Sequence, residues 1–223
     1  MRALAPLLLL LAACASSGLA LETEPPTADP RVEVAAADPR IGVLAVYATP
    51  DNFVGETLYP EPRLFLRRSA MERLSRVQDD LEARGMGLLV FDGYRPWSVT
   101  RRMWDVIGDP DYVADPSKGS RHNRGMAVDV TLVDAAGRRL PMPTDFDAFV
   151  PEARADAEVL EPMRSNRRTL IDAMAAQGFR VLSSEWWHYD CEGWEERALL
   201  DVPIDRIPAP PHREILHREI TAR

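Results

Sequence analysis

Two short segments hold most of the residue types that could do chemistry. Ser120-Arg121-His122-Asn123-Arg124-Gly125-Met126-Ala127-Val128-Asp129 carries one of only four histidines and, seven residues on, a carboxylate. Glu185-Trp186-Trp187-His188-Tyr189 carries a second histidine three residues after a glutamate. Zinc favours imidazole and carboxylate ligands, and a catalytic zinc site uses three protein ligands and leaves the fourth position to water. His122, Asp129 and His188 supply such a set. Each also has a plainer reading when taken alone: Asp129 as a capping carboxylate, His122 as a surface residue. No helical HExxH is present, so a thermolysin-type site is excluded. A third segment, Asp92-Gly93-Tyr94-Arg95-Pro96, sets an arginine that the following proline keeps extended near an acid able to fix it. A fixed guanidinium suits an oxyanion or a carboxylate, although a solvated charge is the plainer reading of Arg95.

The elements around these residues follow from periodicity. Met126, Val128, Val130 and Leu132 alternate with Ala127, Asp129 and Thr131, which predicts a strand with Asp129 on its second face. A buried unpaired carboxylate among such neighbours is costly, and a metal would relieve that cost. Gly125 lets the chain turn back toward His122 before the strand. Residues three apart on a regular strand face opposite sides, so Glu185 and His188 can share a site only across a bend, bulge or tight turn. At least one of Trp186 and Trp187 is expected in the core, the other against the pocket.

Met71, Leu74, Val77 and Leu81 predict a helix over 69–84, ended by Gly85. Gly87 to Asp92 reads as a buried strand, and Ser98 as the cap of a helix that closes near Gly108. A third helix is expected over 166–177, then strands over 179–182 and 185–189. A short helix near 153–160 interrupts a loop-like stretch. Without a βαβ rhythm or a phosphate loop, the fold class expected is α+β, a single domain with a central, mainly antiparallel sheet flanked by helices.

The 223 residues suffice for one core, and a net charge of −8 argues against a nucleic-acid partner. Residues 1–20 read as an export leader whose Leu11-Ala12-Ala13-Cys14 resembles a lipobox, so lipidation at Cys14 is expected, with an ordinary cleaved leader as the alternative. Membrane contact is then expected only through that anchor, on the periplasmic face of the outer membrane if the source is Gram-negative. Residues 21–40, rich in Pro, Glu, Asp and Ala, read as a flexible tether. Cys191 reads as a buried inert thiol, and His212 and His217 as solvated residues of a charged tail over 207–223.

Taken together, the S-x-H-x-x-G-x-A-x-D of Ser120 to Asp129, the E-x-x-H of Glu185 to His188, the Asp92-Gly-Tyr-Arg95-Pro turn and Tyr47-Ala-Thr-Pro-Asp-Asn52-Phe53 resemble the D-alanyl-D-alanine dipeptidases of the M15 zinc peptidases, the VanX-like group, over residues 41–206. The resemblance implies a hedgehog/DD-peptidase-like fold and one zinc held by His122, Asp129 and His188. It implies Glu185 as catalytic base, Arg95 as stabiliser of the transition state and a small dipeptide as substrate. It also points to Asp147 for the substrate ammonium and to Ser120 as a substrate contact, beside a plain role as a turn hydroxyl. A D,D-carboxypeptidase or other murein peptidase, and a non-catalytic zinc-binding envelope lipoprotein, are the alternatives at this point. An exported dipeptidase could not reach a cytoplasmic D-Ala-D-Ala pool, so scavenging or wall turnover is the role expected.

Overall fold

The alternating and continuous apolar runs become strands of a sheet in a computed structural model that describes residues 19–23 and 28–208. Cys14 and its leader, like His212 and His217, lie outside those residues. In chain order the elements are β1 (Leu21–Glu22), β2 (Arg31–Glu33), α1 (Val34–Ala37), β3 (Gly42–Val43), β4 (Phe65–Arg67), α2 (Arg68–Glu82), β5 (Met86–Asp92), α3 (Trp97–Ile107), β6 (Ala127–Asp134), α4 (Met163–Ala176), β7 (Phe179–Leu182), β8 (Glu185–Cys191) and β9 (Leu199–Leu200). The main sheet runs β3-β5-β6-β8-β7; only β3 against β5 is parallel. This is the α+β architecture with a mainly antiparallel sheet that the sequence predicts.

One sheet face is closed by helices. Helix α2 buries Met71, Leu74, Val77 and Leu81 and packs on β5 and α4, while α4 packs on β6 and β7. Complete burial of a leucine such as Leu74 or Leu81 contributes roughly 1.5–3 kcal/mol. Met126, Val128, Val130 and Leu132 join this core. Asp129 and Thr131, on the other face of β6, line two cavities instead, so β6 is buried on both sides.

Four expectations need correction. Residues 28–40 are not a flexible tether, because β2 pairs antiparallel with β4 and Val34 is fully buried. Asp29 also caps α2 from a distance: its carboxylate accepts the Ser69 N–H at 2.8 Å and the Ser69 hydroxyl at 2.7 Å. Polar composition hid a segment whose partners are long-range. Ser98 does not cap α3; it lies inside the first turn, and its N–H donates to Asp201 Oδ1 at 2.9 Å. The helix expected near 153–160 is only a 3-10 turn at Pro151–Ala153, since the Arg167 guanidinium takes the carbonyls of Arg154 and Ala157. Finally, the tail does not begin at 207, because Ile207 is buried in the core.

Candidate metal centre

The register of the sheet assembles the site. Asp92 of β5 lies opposite Asp129 of β6, and Asp129 lies opposite His188 of β8, so three polar side chains form a row across three strands. His122 comes from a 3-10 turn, His122–Arg124, that Gly125 ends in the left-handed region at φ +67°. A side chain there is strained, and its Cβ would also press on Arg67 at 3.3 Å. His122 is buried, not on the surface.

The donor atoms converge. His188 Nδ1 lies 3.0 Å from Asp129 Oδ1 and 3.1 Å from His122 Nε2, and His122 Nε2 lies 3.4 Å from Asp129 Oδ1. The outer ring nitrogens are engaged elsewhere. His122 Nδ1 donates to the Gly93 carbonyl at 2.7 Å, and His188 Nε2 donates to Asp190 Oδ1 at 2.9 Å. Because each outer nitrogen must carry a hydrogen, both inner nitrogens present lone pairs to one point when the rings are neutral. Two lone pairs at that separation repel unless a proton or a cation lies between them. Two imidazoles and one carboxylate, each ligand atom within 4.8 Å of the others, fit a catalytic zinc site. Gly93 and Asp190 are the outer partners that such ligands need for orientation.

The charges respond to this packing. Burial alone would raise the Asp129 carboxyl, but His122 and His188 hold it well below the carboxylate range. Burial opposes charge on His188, yet Asp129 and Asp190 lift its imidazolium up to about 10. Glu185 reaches within 3.9 Å of His188 Nδ1. The bend required between them is present: the β7 ladder steps from Val181↔Tyr189 to Leu182↔Glu185, which bulges Trp186, Trp187 and His188 out of register. Burial, reinforced by Asp129, raises the Glu185 carboxyl.

Arg95 is buried and clamped. Its Nε and Nη2 donate to Asp92 Oδ2 at 3.0 and 2.8 Å, and Tyr59 donates its hydroxyl to Asp92 Oδ1 at 2.7 Å. Asn123 carries the second half of the scaffold. It accepts the Ser120 N–H at 2.7 Å and donates to the Arg95 carbonyl at 2.9 Å and to Thr100 Oγ1 at 2.8 Å. Ser120 is buried and accepts the His122 N–H at 3.2 Å, so it is a turn hydroxyl that also borders the cavity.

The cavity beside the triad encloses about 590 Å³. Trp187 walls it, while Trp186 faces the second cavity and donates to Thr144 Oγ1. Asp147 also lines it, with its backbone in the left-handed region at φ +57°, a conformation aspartate tolerates better than most residues. Tyr47 donates its hydroxyl to Asp147 Oδ2 at 2.8 Å. Burial raises the Asp147 carboxyl well above its ordinary value, with Asp129 and Glu185 adding to the effect and Tyr47 opposing it.

His122, Asp129, His188, Glu185, Arg95, Ser120 and Asp147, the residues expected from the sequence, all border this one cavity. Tyr47, Tyr59, Asn123 and Asp190 join them without a role expected from the sequence. Asp190 left a usable signal, since two residues beyond His188 on a strand is the same face. Asn123 and Tyr59 left none, because each acts through partners distant in sequence.

Comparison with known proteins adds three findings. The family described as D-ala-D-ala dipeptidase (peptidase M15) matches residues 31–204. A D-alanyl-D-alanine dipeptidase of Escherichia coli (strain K12) is 34% identical over 160 residues, 71% of this chain and 83% of the relative. Relatives of the same name from Streptomyces coelicolor and Enterococcus faecium are 36% and 32% identical, each over 65% of this chain and 83% of the relative.

Proposed function

This chain belongs to the D-Ala-D-Ala dipeptidase family of M15 peptidases, and on that premise we propose that it hydrolyses D-Ala-D-Ala to free D-alanine in a zinc-dependent reaction. The observation that carries the reading is the convergence of His122, Asp129 and His188 with Glu185 alongside. These three residues would hold one zinc. When bound, zinc supplies Lewis acidity toward the scissile carbonyl and brings the pKa of water to about 7.

The chain's own residues account for the other steps. Glu185 accepts the proton of the attacking water and delivers it to the leaving amine. Arg95, immobilised by Asp92, offers a fixed positive charge to the oxygen on which negative charge develops. Asp147 takes the substrate ammonium, and the Tyr47 hydroxyl keeps it in place. Ser120 holds the turn that bears His122 and borders the bound dipeptide.

We also propose that the enzyme works outside the cytoplasm, anchored through Cys14, in dipeptide scavenging or wall turnover; the lipobox-like Leu11-Ala12-Ala13-Cys14 supports this. Mass spectrometry of the membrane fraction tests it: an acylated Cys14 is expected, and an unprocessed cytosolic chain would refute it.

The reaction is tested with a panel of dipeptides of both stereochemistries, comparing the chain with Glu185→Gln. The variant should keep its metal and lose about 10²–10⁴-fold in kcat. Full activity in the variant would remove Glu185 from the mechanism, and turnover of a pentapeptide stem in preference to the dipeptide would favour a carboxypeptidase.

A further inference from the structure

A dipeptide is a zwitterion, and the function proposed above places only its ammonium. Among the described residues three arginines border the cavity: Arg95, Arg121 and Arg154. Two of them are committed. Arg95 spends Nε and Nη2 on Asp92, and the exposed Arg154 places Nε on Asp156 at 3.1 Å. Arg121 differs. Its Nε lies 3.4 Å from Asp190 Oδ2, but it is buried without a hydrogen-bond partner, because the alignment is poor. Its guanidinium carbon lies over the Trp194 ring, 4.8 Å from the centroid.

A cation–π contact of this kind holds a guanidinium in place without using its donors. With Nε turned inward, the terminal Nη edge is what a ligand can reach, and the side chain as a whole is 39% exposed. Asp190 is shared between two partners, its other oxygen accepting from His188 at 2.9 Å. Arg121 immediately precedes the ligand His122, so it is held at the edge of the triad. Asp147, by contrast, is tied to Tyr47 and feels Arg95 and Glu185. The cavity therefore offers an acid and a pre-oriented arginine in two groups that share no residue.

We propose that Arg121 binds the terminal carboxylate of the substrate, so that Asp147 and Arg121 together read both ends of a free dipeptide. The assignment rests on the dipeptidase function proposed above. It explains a preference for two-residue substrates as a charge requirement at each end, since a planar guanidinium pairs with carboxylate through two parallel hydrogen bonds.

The test compares D-Ala-D-Ala with its C-terminal amide on the zinc-loaded full chain, Arg121→Gln, Arg121→Lys and Arg154→Gln. Arg121→Gln should lower kcat/KM for the free acid roughly 10- to 100-fold, mostly through KM, the size expected for a lost hydrogen bond to a charged group. It should leave the amide nearly unchanged, so that the acid-over-amide preference vanishes. Arg121→Lys should restore part of that preference, and Arg154→Gln should keep it whole. Metal content, measured in each variant, should stay at that of the unmutated chain, which separates carboxylate binding from damage to the triad. An unaltered acid-to-amide ratio in Arg121→Gln, or loss of that ratio in Arg154→Gln instead, overturns the assignment. Absence of turnover of either substrate by the unmutated chain would instead sink the dipeptidase reading, and this assignment with it.

Discussion

Asp147 shows how burial converts an ordinary carboxylate into a sensor of its ligand. Its carboxyl is held well above the usual range because the cavity wall removes water from it, and Asp129 and Glu185 add repulsion. Only the ionised form pairs with an ammonium, so KM for a dipeptide should fall as pH rises through that raised value, and rise again once the substrate's own ammonium loses its proton near pH ~8. Asp147→Asn should raise KM about tenfold or more and flatten this dependence; a variant with the unmutated pH profile would remove Asp147 from substrate binding. At this scale the sequence is informative where chemistry is concentrated. His122, Asp129, Glu185 and His188 stand out because their residue types are scarce and their spacing is unusual. Asn123 does not, since its work is to tie the His122 turn to the Arg95 carbonyl and to α3. An asparagine in a turn has no property that announces this.

Helices and strands were legible where one face is apolar. Helix α2 falls at Arg68–Glu82 against an expected 69–84, and α4 at Met163–Ala176 against 166–177. What periodicity cannot disclose is how a helix is started from elsewhere. Neither α2 nor α3 has a side-chain cap at its own N-terminus. Instead Asp29 serves α2, and Asp201 serves α3. A carboxylate at a helix start satisfies free N–H groups and meets the positive end of the helix dipole. Asp29→Ala should therefore cost about 1 kcal/mol of stability, with some further loss from the Arg197 pair at 3.2 Å. Urea unfolding measures this, and an unchanged midpoint would show that Asp29 is not a working cap. Likewise the bulge in β8 is predictable only from function: Glu185 and His188 must share a site, so the strand must break its alternation.

For the whole molecule, a mainly antiparallel α+β fold was legible, but the strand order β3-β5-β6-β8-β7 was not. Alternation says which face a residue takes and nothing about which strand lies beside it. Cys191 provides a probe of the folded whole. It is fully buried at the end of β8, and burial pushes its thiol up to about 11. Alkylation of Cys191 at neutral pH, read by peptide mapping, should therefore be negligible in the native protein and appear only with unfolding. Stripping the metal with a chelator should speed it, because an ion bound to the native site alone stabilises that state; rapid labelling of the metal-loaded protein would contradict the buried placement. Asp129 and His188 are 59 residues apart in the chain, and they meet only through the pairing of β8, in its hairpin with β7, against β6. During synthesis the ribosome emits His122 and Asp129 long before Glu185 and His188, so a nascent chain carries half a site. Hydrolytic competence therefore needs the chain at least through β8, and an amino-terminal fragment that ends before β7 lacks Glu185 and His188 and has only half of the site.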